Sequence, residues 1–156
     1  MELTFAPRGI LQIDDAVIKF RNFSGRGDKY NREGDRNFAL VIEDEETANA
    51  LRAEGWNVKI KPPREEGEDP RMHLLVKIKF NDRGPNVYLK SGDRVTQLDE
   101  ESIGCLDNID ILAVDMDIRP YDWELADGKC GRTAYLQSMH VTQKVDRFAA
   151  RYGEEY

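Results

Sequence analysis

The feature that most constrains this 156-residue chain is a set of short apolar runs in which alternate positions are basic. In His73–Phe80, Leu74, Val76, Ile78 and Phe80 fall on one side, and Leu75, Lys77 and Lys79 on the other. In Trp56–Lys61, Trp56, Val58 and Ile60 oppose Asn57, Lys59 and Lys61; in Asn86–Lys90, Val87 and Leu89 oppose Tyr88 and Lys90. In Asp15–Phe23 the same alternation sends Ala16, Ile18 and Phe20 inward and Val17, Lys19, Arg21 and Phe23 outward. A period of two places each set on one face of a β-strand, whereas a helix would scatter it. Four strands therefore each offer a core face and a wet, basic face.

Further β-like runs are Phe38–Ile42, Ile109–Ile118 and Arg132–Thr142, all bounded by Gly, Pro, Asn or Asp. Asp44 is placed to cap a helix over Glu45–Glu54 that stops at Gly55, and Asp99 a short one through Leu106. Three long connections remain: Ser24–Arg36, Arg64–Arg71 and Pro120–Gly131. The pattern predicts one mainly β domain over residues 1–145, followed by a tail at 146–156. A chain of this size buries a core without disulfide or metal staples. Cys105 and Cys130 form no CxxC pair, and His73 and His140 are isolated, so no metal or cofactor is implied. No apolar run approaches a membrane span, and Met1–Gly9 has no apolar leader core, so a cytoplasmic protein is expected.

The net charge of -7 argues by itself against a nucleic-acid partner, but its distribution argues the other way. Residues 19–36 sum to +3 and residues 71–94 to +4, whereas 95–131 sum to -8. The connection 24–36 holds three glycines, the bases Arg26, Lys29, Arg32 and Arg36, and Tyr30, the composition of a flexible loop that closes over a polyanion. Lysines beside flat side chains are what a single-stranded nucleic acid needs: cations for phosphates, rings for unpaired bases. Lysine on a solvated strand face is also ordinary, and it protects sheet edges. Tyr121 and Trp123 stand at the mouth of the last long connection, placed either to stack bases or to plug the end of a barrel. Asp115 and Asp117 share one strand face, a spacing open to Mg²⁺ as well as to a plain solvated acidic face.

Several blocks together carry a resemblance: Ile18–Gly25, Tyr30–Phe38, Val76–Phe80, Tyr88–Gly92 and Asp117–Pro120. They are similar to small phage or prophage single-stranded DNA-binding proteins, and they run across most of the chain. The resemblance implies an OB-fold-like antiparallel barrel of five strands or more, with one or two short helices and an inserted αβ segment, Glu45–Lys61. It also implies a non-enzymatic protein, without cofactors, that coats single strands during phage replication or recombination. The tail Gly153–Tyr156 is shorter and less acidic than the protein-recruiting tails of such proteins, so recruitment of replication or recombination proteins through it stays open, as does a homo-oligomer.

On this basis Lys19, Arg21, Arg26, Lys29, Arg32, Lys77, Lys79 and Lys90 are expected to meet phosphates, and Phe23, Tyr30, Tyr88 and Trp123 to stack on bases. Two alternatives stand beside this reading. One is an Mg²⁺-dependent nuclease using Asp115 and Asp117; the other is a phage protein that binds a host protein through a β face.

Overall fold

The computed structural model describes residues 1–82 and 84–145; the tail expected at 146–156 lies outside them. The described residues form β1 (Glu2–Phe5), β2 (Leu11–Asp14), β3 (Ile18–Asn22), β4 (Arg36–Ile42), α1 (Glu45–Ala53), β5 (Val58–Lys61) and β6 (Arg71–Ile78). They continue with β7 (Asn86–Ser91), β8 (Arg94–Leu98), a 3-10 turn at Ile103–Asp107, β9 (Ile111–Glu124) and β10 (Cys130–Gln143). The α-helix forms where its caps predict. The Asp44 carboxylate accepts the Thr47 N–H at 2.8 Å, Ala48 and Leu51 turn into the core, and Gly55 follows the last turn at φ +91°.

The strands make one large mixed sheet in the order β1-β2-β9-β10-β6-β4-β3. The mainly β architecture is the expected one, but the sheet is mixed where an all-antiparallel barrel was expected. β10 runs parallel to β6 at Ala134–Val76 and then, after a bulge between Leu136 and Ser138, parallel to β7 from Ser138–Asn86 to Thr142–Lys90. β5 takes the part of the β6 edge that β10 leaves free, and β8 folds back on β7. Nor does the sheet close into a barrel through a continuous ladder. The chain leaves β9 after Asp14 and joins β4 at Ile18; across that break Ala16 N–H donates to Val114 O at 2.7 Å and Val41 N–H to Val17 O at 2.9 Å. The inner face carries the core, with Leu11, Phe38, Leu40, Leu74, Val76, Ile118, Leu136 and Val141 all buried.

Two local features depart from strict alternation. In β3, Lys19 faces Ala39 and Asn22 faces Asn37, so Phe20 and Arg21 together oppose Phe38. One extra residue in a strand reverses the faces of all that follow. Phe23, expected outside, is therefore 0% exposed and stacked on Phe38 at 5.4 Å between ring centroids. Phe20, expected inside, is 74% exposed. The second departure is 120–131, expected as a long loop. Most of it is a two-stranded arm, because β9 continues to Glu124 and β10 begins at Cys130. Pro120 is tolerated within β9 because β2 has already ended opposite Ile118, leaving that edge without a ladder to break.

Candidate nucleic-acid interface

Register places the outward side chains in rows that cross the sheet. One row, from β9 to β3, reads Arg119, Tyr135, Lys77, Asn37 and Asn22. The next reads Tyr121 and Thr133, then Leu75, Ala39 and Lys19. A third holds Trp123 and Gly131 on the arm and His73 beside Lys59 on the β5–β6 pair. Small residues in the middle of these rows (Ala39, Gly131, Thr133) leave a trough between the larger ones. Its deepest part is a hollow of about 530 Å³ lined by Lys59, Leu75, Lys77, Trp123, Gly131 and Thr133.

The rings in this trough are held in place. Trp123 lies against Gly131, where a β-carbon would come within 2.5 Å of its Cζ2, and its Nε1–H donates to Thr133 Oγ1 at 3.1 Å. Tyr121 meets Tyr135 edge-to-face at 6.0 Å, and the Arg119 guanidinium lies 5.0 Å from the Tyr135 ring centre. Under the arm, Arg132 packs over the buried Trp56 and donates through Nε to Asp122 at 2.7 Å. That bond holds the Asp122 carboxyl below its ordinary range. Half-buried His73 is pushed down from 6.5, by burial first and then by Lys61 and Lys59.

The connection 24–35, glycine-rich as it is, is braced by hydrogen bonds from its own side chains. Asn31 donates through Nδ2 to Arg26 O, Arg32 O and Asp35 O, and its Oδ1 accepts from Asn37 Nδ2 on β4. Asp28 Oδ1 accepts the N–H groups of Tyr30 and Asn31, and Glu33 Oε2 that of Gly27. Two of the loop's acids are thus consumed by its own backbone. Arg26, Lys29 and Arg32 are exposed and, among the described residues, enter no ion pair. Tyr30 is 87% exposed at the tip, with Lys29 Nζ 5.0 Å from its ring centre. The base of the loop is fastened by Asp107, which accepts from Phe23 N, Ser24 N and Ser24 Oγ.

The predicted residues therefore divide. Lys19, Lys77 and Trp123 share the trough, the braced loop presents Arg26, Lys29, Tyr30 and Arg32, and Lys79 is exposed just past the end of β6. Arg21 is spent on structure, its Nη1 donating to Leu106 O at 2.7 Å and Ile109 O at 2.8 Å. Phe23 has no ring face to offer, as it is packed in the core. Tyr88 and Lys90 stand on the other half of the sheet, opposite His140 and Thr142. There Tyr88 shares a hollow of about 220 Å³ with Asp14, Asp115, Asp117, Ser138 and His140. Asp115 in that hollow accepts the Asp15 N–H at 2.9 Å, and among the described residues no group of three or more His, Cys, Asp or Glu is arranged to hold a metal. Sequence reasoning left Arg119 and Tyr135 out of these rows, although both follow the parity that puts Tyr121 and Trp123 outward. The exposure of Phe20 depended on a bulge that no residue pattern announced.

No protein of curated function matches the chain. Among solved structures, the single-stranded DNA-binding protein from bacteriophage Enc34 is similar in fold, with a TM-score of 0.54 at 14% identity over 99% of this chain and 95% of that one. The same phage protein in complex with ssDNA gives a TM-score of 0.54 at 14% identity, covering 94% and 93%. The family model described as "Putative phage ssDNA-binding domain" matches residues 3–155, nearly the whole length. The chain belongs to this family of phage single-stranded DNA-binding domains.

Proposed function

We propose that the protein binds single-stranded DNA across the outer face of β9, β10, β6, β5, β4 and β3, and that it coats strands during phage replication or recombination without cutting them. One observation carries the reading: the rows just described interleave Lys19, Lys59, Lys77 and Arg119 with Trp123, Tyr121, Tyr135 and Leu75 on one continuous surface. Rings accept any base, since each base has a π-face, so the binding is sequence-tolerant. The cations neutralise phosphates, and the braced loop adds three more beside the trough. Family membership supports the choice of ligand.

The test is equilibrium titration of labelled oligo-dT at low salt, read by anisotropy and by tryptophan emission. Trp123 is half-exposed in the trough while Trp56 is buried, so binding should quench the more exposed emitter. Log affinity should fall with log salt by about 0.7 for each phosphate neutralised. No binding at micromolar protein would overturn the reading. The strand should remain intact with Mg²⁺ or Mn²⁺ present; cleavage would favour the nuclease alternative instead.

A further inference from the structure

Phe20 combines two features that a folded chain normally avoids. Its backbone sits at φ +54°, a left-handed conformation that bulky side chains rarely adopt. Its ring is 74% exposed, and among the described residues it meets no other ring and no cation. Outliers of this kind, held in place by their surroundings, cluster at ligand-binding sites.

The surroundings do hold it. On one side of the bulge Lys19 is paired with Ala39; on the other Asn22 is paired with Asn37. Asn22 also clamps the start of the loop, accepting from Arg26 N at 2.8 Å and donating to Arg26 O at 3.0 Å. Arg21 is tied to the carbonyls of Leu106 and Ile109, and Phe23 is locked against Phe38. With both neighbours fixed, the Phe20 ring has no route into the core. In sequence it lies between Lys19 and Asn22, which take the outward rows on β3 at the end of the sheet, and its exposed ring stands at that edge, whereas Trp123 stands on β9 at the other end of those rows.

We propose that Phe20 is a base-stacking platform that terminates the DNA path at β3. The proposal rests on the reading that the outer face binds single-stranded DNA. Four strand spacings separate the β9 and β3 margins, roughly 20 Å in all. A segment of about four nucleotides covers that span, at the short end of what one fold of this type holds. Stacking would cover the exposed ring and explain why the left-handed backbone is retained.

The experiment compares the full chain with Phe20→Gly, Phe20→Ala and Phe20→Tyr, binding a labelled oligo-dT by anisotropy and melting in its absence. Gly and Ala both remove the ring, and each should weaken binding by about 10- to 100-fold. They should separate in stability: Gly accepts a positive φ and Ala does not, so the Gly variant should melt above the Ala variant. Phe20→Tyr keeps the ring and should bind within about twofold of the parent. If the parent binds and the Gly and Ala variants bind equally well, the platform is overturned while the wider reading stands. If the parent itself fails to bind, the wider reading fails first. A change of oligomeric state in Phe20→Gly with unchanged DNA affinity would also overturn the platform, since the ring would then cover protein.

Discussion

β9 and β10 carry two opposite surfaces on one face of one sheet. From Arg119 to Trp123 the outward residues of β9 are Arg119, Tyr121 and Trp123; from Asp115 to Asp117 they are both acidic. The parity is unbroken, and the chemistry reverses within two residues. The boundary coincides with the bulge at Leu136–Ser138, where β10 exchanges β6 for β7. One half thus joins the strands that bring Lys77, Lys59 and Lys19, while the other joins the hairpin that brings Tyr88 to an acidic hollow and Lys90 opposite Thr142. A net charge of -7 and a polyanion site coexist because the partner switch keeps them apart.

The sharpest way to break that contrast is to remove an aromatic from each half. Trp123→Ala takes a ring from the trough and should cost about 1–3 kcal/mol of oligo-dT binding. Tyr88→Ala takes one from the acidic half and should leave affinity within experimental error. Equal losses in titrations of the two variants would mean that DNA crosses the boundary. Replacing the bases is the next largest test. Lys77→Ala should lower the slope of log affinity against log salt by about 0.7, whereas Lys90→Ala should leave it unchanged.

A third variant works from the other side. Asp117→Asn removes one negative charge from the margin of the trough, two positions from Arg119. Binding should tighten by less than about 1 kcal/mol at low salt. The gain should vanish near 0.15 M, where the screening length is about 8 Å. A gain that survives high salt would show that the acids act through structure instead of repulsion.

How much of this was legible beforehand depended on whether local pattern or long-range pairing decided the outcome. His73–Phe80 alternates cleanly, and β6 forms over Arg71–Ile78, two residues earlier at each end; Asp44 and Gly55 delimit α1 because capping is local chemistry. β1, β2 and β8 went unseen, since four or five mixed residues such as Arg94–Leu98 carry too little alternation to stand out. Lys90 was placed with Lys77 because both lie on basic rows, but only the parallel pairing of β7 with the far half of β10 decides which row adjoins which. The Phe20–Phe23 exchange of faces is another pairing effect: nothing in Ile18–Phe23 distinguishes a regular strand from a bulged one. In the loop, glycine suggested freedom, yet Asn31 alone bonds three carbonyls across it. Charge by segment was legible, and charge by surface was not.

The finest probe of the boundary uses the histidine beside the lysines. In the free protein His73 prefers the neutral form, held there by burial and by Lys61 and Lys59. The stability that follows is present above the ordinary value of 6.5 and is lost as pH falls through 6.5 toward the depressed folded value. A phosphate seated on Lys59 and Lys61 would offset their repulsion and raise the histidine's affinity for its proton. Binding is then coupled to proton uptake, so oligo-dT affinity should increase from pH 8 to pH 6. His73→Gln should flatten that profile without much loss of affinity at pH 8. If the slope survives the substitution, the phosphates do not reach the β5 end of the trough, and the path must run closer to the Lys77 row and the braced loop.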